Sequence, residues 1–522
     1  MAVTDTTLPE QAAAGEAVGS PATAGEFEEL VGTGDHTSLG RLFLGFSLLL
    51  LTVGLAIRLL VGLDLATDNG VLGSYVSMVD VSSLVALVLL GVLPALIGLA
   101  LIIVPLQVGS PSVAFPRAAA LSLWTWAISA GLFIASIALD GGVAGGDYDA
   151  ASLGNISMGV MMASLGLASV CIATTVITHR PAGLTLARVP LFSWSMLVAA
   201  PIWIATFAAA TAHVVLGHVA ADSAPGLADN FANGLAWMLR GPAVYMLAIP
   251  VLGIAGDAVA HATHRALRNY GVFQGLIAAF GVLSFGAWAQ GPRSVNTFVW
   301  ALWALAAALP VLGMLGGLAE SMRYGRPAAS PGMVGSLLAL VVLLGGILVG
   351  ALMALDTAGS GTLFDFGAVL LGPAQSVFVV AAVIVGLVAG QAHWSGQVWG
   401  AVAKSRTVAG AGTLVALGGV LLAGIMAVDV FLIANDTDAA VFVGIVATVG
   451  ALLMVLGVLG ALAASLSAAR ASFEGDGPAE VDTDGMTLEW QVPWPAVAAQ
   501  RTAELPAEIT SPYPLLEDEE EA

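Results

Sequence analysis

Twelve apolar runs, each long enough to cross a hydrocarbon core of about 30 Å, decide what this chain can fold into. They fall at 41–63, 78–106, 118–141, 153–178, 191–219, 233–262, 271–290, 297–322, 332–356, 366–391, 407–433 and 438–468. Lipid offers no hydrogen bonds, so such a run must satisfy its own backbone groups, as a helix does. Apolar residues make up 58% of the 522 and charged residues only 10%, more apolar surface than a soluble core could hide. The expected class is an all-α polytopic membrane protein with twelve transmembrane helices.

The loops test the count. Arg117, Arg180, Arg188, Arg265, Arg268, Arg323, Arg326, Lys404, Arg406 and Arg470 all follow even-numbered runs, whereas the odd-side loops hold only Arg293. Basic residues collect on the cytoplasmic side, so both termini are expected there, and the localisation expected is a prokaryotic plasma membrane. No basic region followed by a short apolar stretch and a cleavage site precedes the first run, so no removable signal peptide is expected. The net charge of −20 is concentrated at the ends: 20 of the 35 acidic residues lie before Gly40 or after Arg470. The expected organisation is a disordered acidic cytoplasmic tail (1–40), a membrane domain (41–470), and an acidic cytoplasmic C-terminal tail (471–522), also read as solvated. Acidic tails argue against nucleic acid and anionic lipid as partners. Cys171 is the single cysteine, which excludes an internal disulfide or a cysteine metal site. Glycines such as Gly345-Gly346 and the pair Gly457 and Gly460 read as helix-packing faces.

Three stretches carry a resemblance. The first runs from Val104-Pro105-Leu106-Gln107-Val108-Gly109 through Ser112 to Phe115-Pro116-Arg117, after the second run. The second begins Pro181-Ala182-Gly183-Leu184-Thr185 and ends Pro190-Leu191-Phe192-Ser193-Trp194. The third is Pro242-Ala243-Val244-Tyr245 and its continuation to Pro250. Asp35-His36, Tyr270-Gly271 and Thr487-Leu488-Glu489-Trp490 follow the same order. Together they resemble subunit I of the haem–copper terminal oxidases. The resemblance implies a twelve-helix bundle, oxygen reduction at two haems and a copper, and assembly with subunits II and III.

The positions that such chemistry requires read differently here. A low-spin haem needs two axial imidazoles, a high-spin haem one, and the copper three. By register with the loops, the low-spin ligand of the second run falls on Ser83. The family's Gly-His-Pro-Glu-Val-Tyr becomes Arg240-Gly241-Pro242-Ala243-Val244-Tyr245. Its Trp-Ala-His-His becomes Trp288-Ala289-Gln290-Gly291, and its His-Phe-His falls near Gly372-Pro373-Ala374. No histidine lies between His264 and His393. The family's proton-path aspartate and lysine correspond to Ser112 and Met314, and its arginine pair to Ala427-Val428. No haem–copper centre and no cofactor are therefore expected. His213 and His218, five apart, face different ways; a structural role outweighs metal binding, though one haem on a single histidine stays open.

Two arginines sit inside apolar runs, Arg58 and Arg240, and need partners there. Asp80, Asp365 and Asp429 are the acids in reach. Arg240 pairing with Asp429 or Asp365 across the vacated site is one expectation, snorkelling of Arg240 the other. Vacating two haems leaves roughly a thousand Å³ to fill, for which Trp288, Trp300 and Trp303 are candidates. Three functions remain. One is a non-catalytic structural or assembly component partnered by II- and III-like subunits or a catalytic subunit I paralogue. Another is a transport or small-molecule-binding protein using a polar path of Arg240, Asp365, Asp429 and Gln290; a helix broken at mid-membrane would favour it, and no run shows a convincing break, Gly372-Pro373 being the one candidate place. The last is an active terminal oxidase subunit, which homology alone would assign.

Overall fold

Helices of membrane-spanning length account for most of the described residues. The structure, a computed structural model, describes residues 32–516 apart from 69, 144, 221–234, 236, 240, 290–296, 326, 359–367, 435–438, 475–484 and 493–507. Twelve helices are long and apolar enough to cross a membrane. In chain order they are α1 (His36–Ala66), α2 (Gly73–Gln107), α3 (Pro116–Ala138), α4 (Tyr148–Thr178), α5 (Leu191–Ala220), α6 (Pro242–Thr263), α7 (Tyr270–Ala289), α8 (Phe298–Tyr324), α9 (Pro331–Ala358), α10 (Ala368–His393), α11 (Ser405–Ala434) and α12 (Ala440–Phe473). Each matches one apolar run in the sequence.

The ends follow local chemistry. Asp35 caps α1 by accepting from the Ser38 amide at 2.8 Å, so this helix begins at His36, five residues before the apolar run. Asp147 caps α4 in the same way through the Ala150 amide. Pro373 does not interrupt α10, so the sequence's one candidate for a broken helix is continuous. It sits in the second turn, where the bundle tolerates the loss of one backbone bond, and the Ser376 hydroxyl donates to the Gly372 carbonyl at 3.1 Å.

Three helices bury their most apolar stretch on all sides. The most apolar windows of α2 and α6 are buried along their whole length, and that of α10 nearly so. The other nine wrap around them. Close approach is achieved with glycine: a Cβ on Gly98 would lie 2.8 Å from the Gly40 carbonyl oxygen, and one on Gly40 would lie 2.6 Å from that of Gly98. Gly418 of α11 and Gly450 of α12 meet in the same reciprocal way. Gly346 receives Phe378, and Gly457 receives Val415, so the expected packing faces are packing faces. Within α2, residues Ala86–Val92 widen into a π-helical turn, and Trp126 of α3 donates to the Leu89 carbonyl there at 2.9 Å.

The C-terminal segment departs from the expectation of a solvated tail. Met486, Leu488, Glu489 and Trp490 are buried, as are Ile509 and Tyr513. The Ile509 amide donates to the Ala182 carbonyl, Arg188 donates to the Ile509 carbonyl, and the Leu515 amide donates to that of Met486. Acidic composition misleads here because a few apolar residues and one acid with dedicated hydrogen-bond donors suffice to seat a short segment.

Gly98→Ala should destabilise the protein by about 1–3 kcal/mol, the usual cost of overpacking a tight core. Gly131, which has open space around it, provides the control. Thermal unfolding in detergent should show a lowered midpoint for the first variant and none for Gly131→Ala.

Candidate functional site

The two regions that the sequence marks as the place of chemistry lie on opposite sides of α10. On one side, α1 brings the buried Arg58 against the half-buried Asp80 of α2 in an ion pair, with Arg58 Nη2 3.4 Å from Met426 Sδ of α11. The pair forms the polar end of a cleft of about 230 Å³, whose remaining walls include Pro373, Asp429 and apolar residues of α12. Ser83, one turn beyond Asp80, is buried and spends its hydroxyl on the Asp80 carbonyl at 2.6 Å. The partner of Arg58 is thus settled.

On the other side, Gly241 caps α6 and its amide donates to the Trp237 carbonyl at 2.9 Å. Tyr245, one turn in, is buried with its ring centroid 4.9 Å from that of Phe280. The space around Gly241 and Tyr245 is small. A cavity of about 30 Å³ remains, bounded by Tyr245, Trp300, Ala307, Met353 and Gln375 among others. That is room for about one water. Trp303 lies directly over Gly286 and donates to the Leu283 carbonyl at 2.6 Å, Trp237 donates to the Ala287 carbonyl at 3.2 Å, and Gln375 lies directly over Gly350. Trp300 thus lines the remaining space and Trp303 packs on α7, both half-buried; the side chain of Trp288 lies outside the described residues.

Comparison with known proteins decides the family. The profile described as "Cytochrome C and Quinol oxidase polypeptide I" matches residues 38–428. The chain belongs to that family. A quinol oxidase subunit 1 from Bacillus spizizenii is 27% identical over 301 residues, 52% of this chain and 46% of the relative. A putative cytochrome c oxidase subunit 1-beta from Streptomyces avermitilis is 30% identical over 285 residues, 49% of this chain and 50% of the relative. A cytochrome c oxidase subunit 1 from Corynebacterium diphtheriae is 26% identical over 291 residues, half of each chain. The chain spans about half the length of the curated relatives it matches. It is an integral, multi-pass member of the oxidase subunit I family.

Members of this family bind haems and copper, and the residues here can be tested for fit. Ser83 is turned to its own helix. Gly241, Gly372 and Ala374 carry no ligating atom, and the last two are buried in α10. Gln290 and Gly291 lie outside the described residues, as do Arg240 and Asp365, so the expected Arg240 pairing falls outside them too. Asp429 shares its cleft with Arg58 and Asp80. Of the histidines, His213 is exposed on α5 and His218 faces Ser152 Oγ at 3.1 Å, so the two diverge as their spacing predicts. His261 and His393 end α6 and α10 at the arginine-rich face, beside Trp490. Among the described residues no group of three or more candidate ligands comes together. The described donors do not fit a haem iron or a copper.

Sequence reading missed one polar cluster, at the arginine-rich end. Gln107, the last residue of α2, donates through Nε2 to Asp257 Oδ2 at 2.9 Å and to Glu489 Oε1 at 3.1 Å, and accepts from the Ser193 hydroxyl at 2.7 Å. Asp257 also accepts the Leu191 and Phe192 amides, each at 3.0 Å, at the N-terminus of α5. All three polar side chains are buried. Desolvation raises the Glu489 carboxyl above its ordinary pKa. A lone aspartate in the apolar run of α6 was the available signal, since a buried acid requires dedicated donors.

Asp80→Ala should cost about 1–3 kcal/mol, because it strands the buried guanidinium of Arg58. Asp429→Ala should change stability by less than about 0.5 kcal/mol, as a half-buried side chain outside that pair. Chemical or thermal denaturation of the two variants side by side checks the order.

Proposed function

We propose that this chain is a non-catalytic member of the oxidase subunit I family, acting as a structural or assembly component of a respiratory oxidase complex. Its partners in this reading are II- and III-like subunits or a catalytic subunit I paralogue, in a prokaryotic plasma membrane with both termini cytoplasmic. The observation that carries the reading is the closure of the space beside Tyr245. A cavity of about 30 Å³ is an order of magnitude below the roughly 300–1,000 Å³ that small-molecule and cofactor sites occupy. Replacement of the imidazoles by Ser83, Gly241, Gln290, Gly291, Gly372 and Ala374 supports it from the chemical side. Retention of the loops supports a role built on the family's surfaces, since fold outlasts function. The excess of arginine after even-numbered helices supports the topology.

One observation favours a second reading. The cleft of about 230 Å³ at Arg58, Asp80 and Asp429 joins a charged end to apolar walls, as a site for a small amphipathic molecule would. An active subunit I, the assignment homology alone gives, requires axial ligands at positions other than these.

The deciding experiment is a pyridine haemochrome spectrum with copper by mass spectrometry, on protein purified from its own membrane with whatever subunits accompany it. The expected outcome is no haem and no copper attributable to this chain, together with co-purifying oxidase subunits. Two haems and one copper per chain, with oxygen consumption, would overturn the proposal. A stoichiometric small molecule with no accompanying subunit would favour the cleft.

A further inference from the structure

The short helical turn Leu488–Gln491 presses Glu489 into the arginine-rich end of the bundle, where it meets Asp257 across Gln107. One amide nitrogen bridges an oxygen of each acid, so those two oxygens lie within roughly 6 Å of each other, at ordinary hydrogen-bond lengths. Glu489 is fully buried; its Oε1 also accepts from Trp394 Nε1 at 3.3 Å, and its Oε2 has no hydrogen-bond partner among the described residues.

Among the described residues no charged side chain pairs with either acid, and the Leu191 and Phe192 amides favour the ionised form of Asp257 rather than of Glu489. From α2 comes neutral Gln107, and from the turn after α10 come Trp394 and Gln397, the latter donating to the Glu489 carbonyl at 3.4 Å. The titratable neighbours are His261 on α6, His393 at the end of α10, Tyr270 on α7 and Tyr513 on the following segment. The two imidazoles pack on Trp490, and the two tyrosine rings meet edge to face. Among the described residues the ion pairs are Arg58–Asp80 and Arg268–Glu320, and neither involves these acids. Two carboxylates at this spacing away from water repel strongly, and their site is more stable with one of them neutral.

We propose that Asp257 and Glu489 together form a proton-binding site that latches the segment 485–492 onto the bundle, docked while the pair holds a proton and released when it loses it. The free oxygen of Glu489 offers the proton a place, and the proton belongs to the pair rather than to either residue. In water a glutamate is ionised at neutral pH, so docking there takes up a proton. Burial raises the Glu489 carboxyl, in agreement with this direction. A group raised in the docked state stabilises docking in full below its free pKa, and that stabilisation is lost as pH rises through the docked value. Release of 485–492 leaves a tether, because Arg188 and Ala182 hold Ile509 separately. The latch does not depend on whether the chain is catalytic.

Hydrogen–deuterium exchange of the full-length protein in nanodiscs tests it. Protection of the amides of 486–491, corrected for intrinsic exchange, should fall at least tenfold between pH 5.5 and 8.5. Glu489→Gln, a neutral isostere, should keep those amides protected across the range. Wild-type protection that does not change with pH would overturn the proposal without recourse to any variant. The same fall in Glu489→Gln would place the titration on His261 or His393 and overturn it as well. So would a Glu489→Gln segment exposed at every pH, since the neutral form is the one proposed to dock.

Discussion

The most apolar stretches of α2, α6 and α10 are packed inside the bundle, and the rest of the structure answers to that constraint. A span buried on all sides must match its neighbours in volume at every turn. Glycine provides the closest approaches, as where Gly98 of α2 meets Gly40 of α1. A buried span must also find protein partners for any polar group it exposes. The outer helices supply them with tryptophan: Trp126 donates to Leu89 in α2, and Trp203 donates to Met246 in α6, each at 2.9 Å. These indoles anchor the outer layer to the inner one and satisfy carbonyls at the same time.

The bundle itself was legible in the sequence because lipid makes the rule simple. A long apolar run has one solution, and each run became one span. The loop motifs were legible because they fix register, and they led directly to Ser83, Gly241 and Tyr245. Pairwise contacts were harder. Arg58 requires an acid, but Asp80, Asp365 and Asp429 are equivalent on paper; choosing Asp80 depends on how α1 crosses α2. The π turn at Ala86–Val92 left no mark in an unbroken apolar run.

The seating of Glu489 was illegible for a different reason. Counted by composition, it is one more acid in an acidic tail. Only the fold shows that Gln107, Asp257 and Trp394 converge on it from three separate parts of the chain. Burial then reverses its meaning, from a solvated charge to a group that favours the neutral form. Long-range convergence of this kind has no period and no spacing to read.

The way the space near Tyr245 closes bears on how a family scaffold changes its interior. Gly241, Gly372 and Ala374 are smaller than histidine, so those positions by themselves would enlarge a void. Large side chains there and nearby are aimed at glycine: Gln375, which lines the space, onto Gly350, and Trp303 onto Gly286, with Trp237 donating to the Ala287 carbonyl. A gap lined on one side only forfeits its dispersion contacts, so these overlaps are what keep the bundle dense. Each needs two positions to agree, a glycine and the residue that covers it.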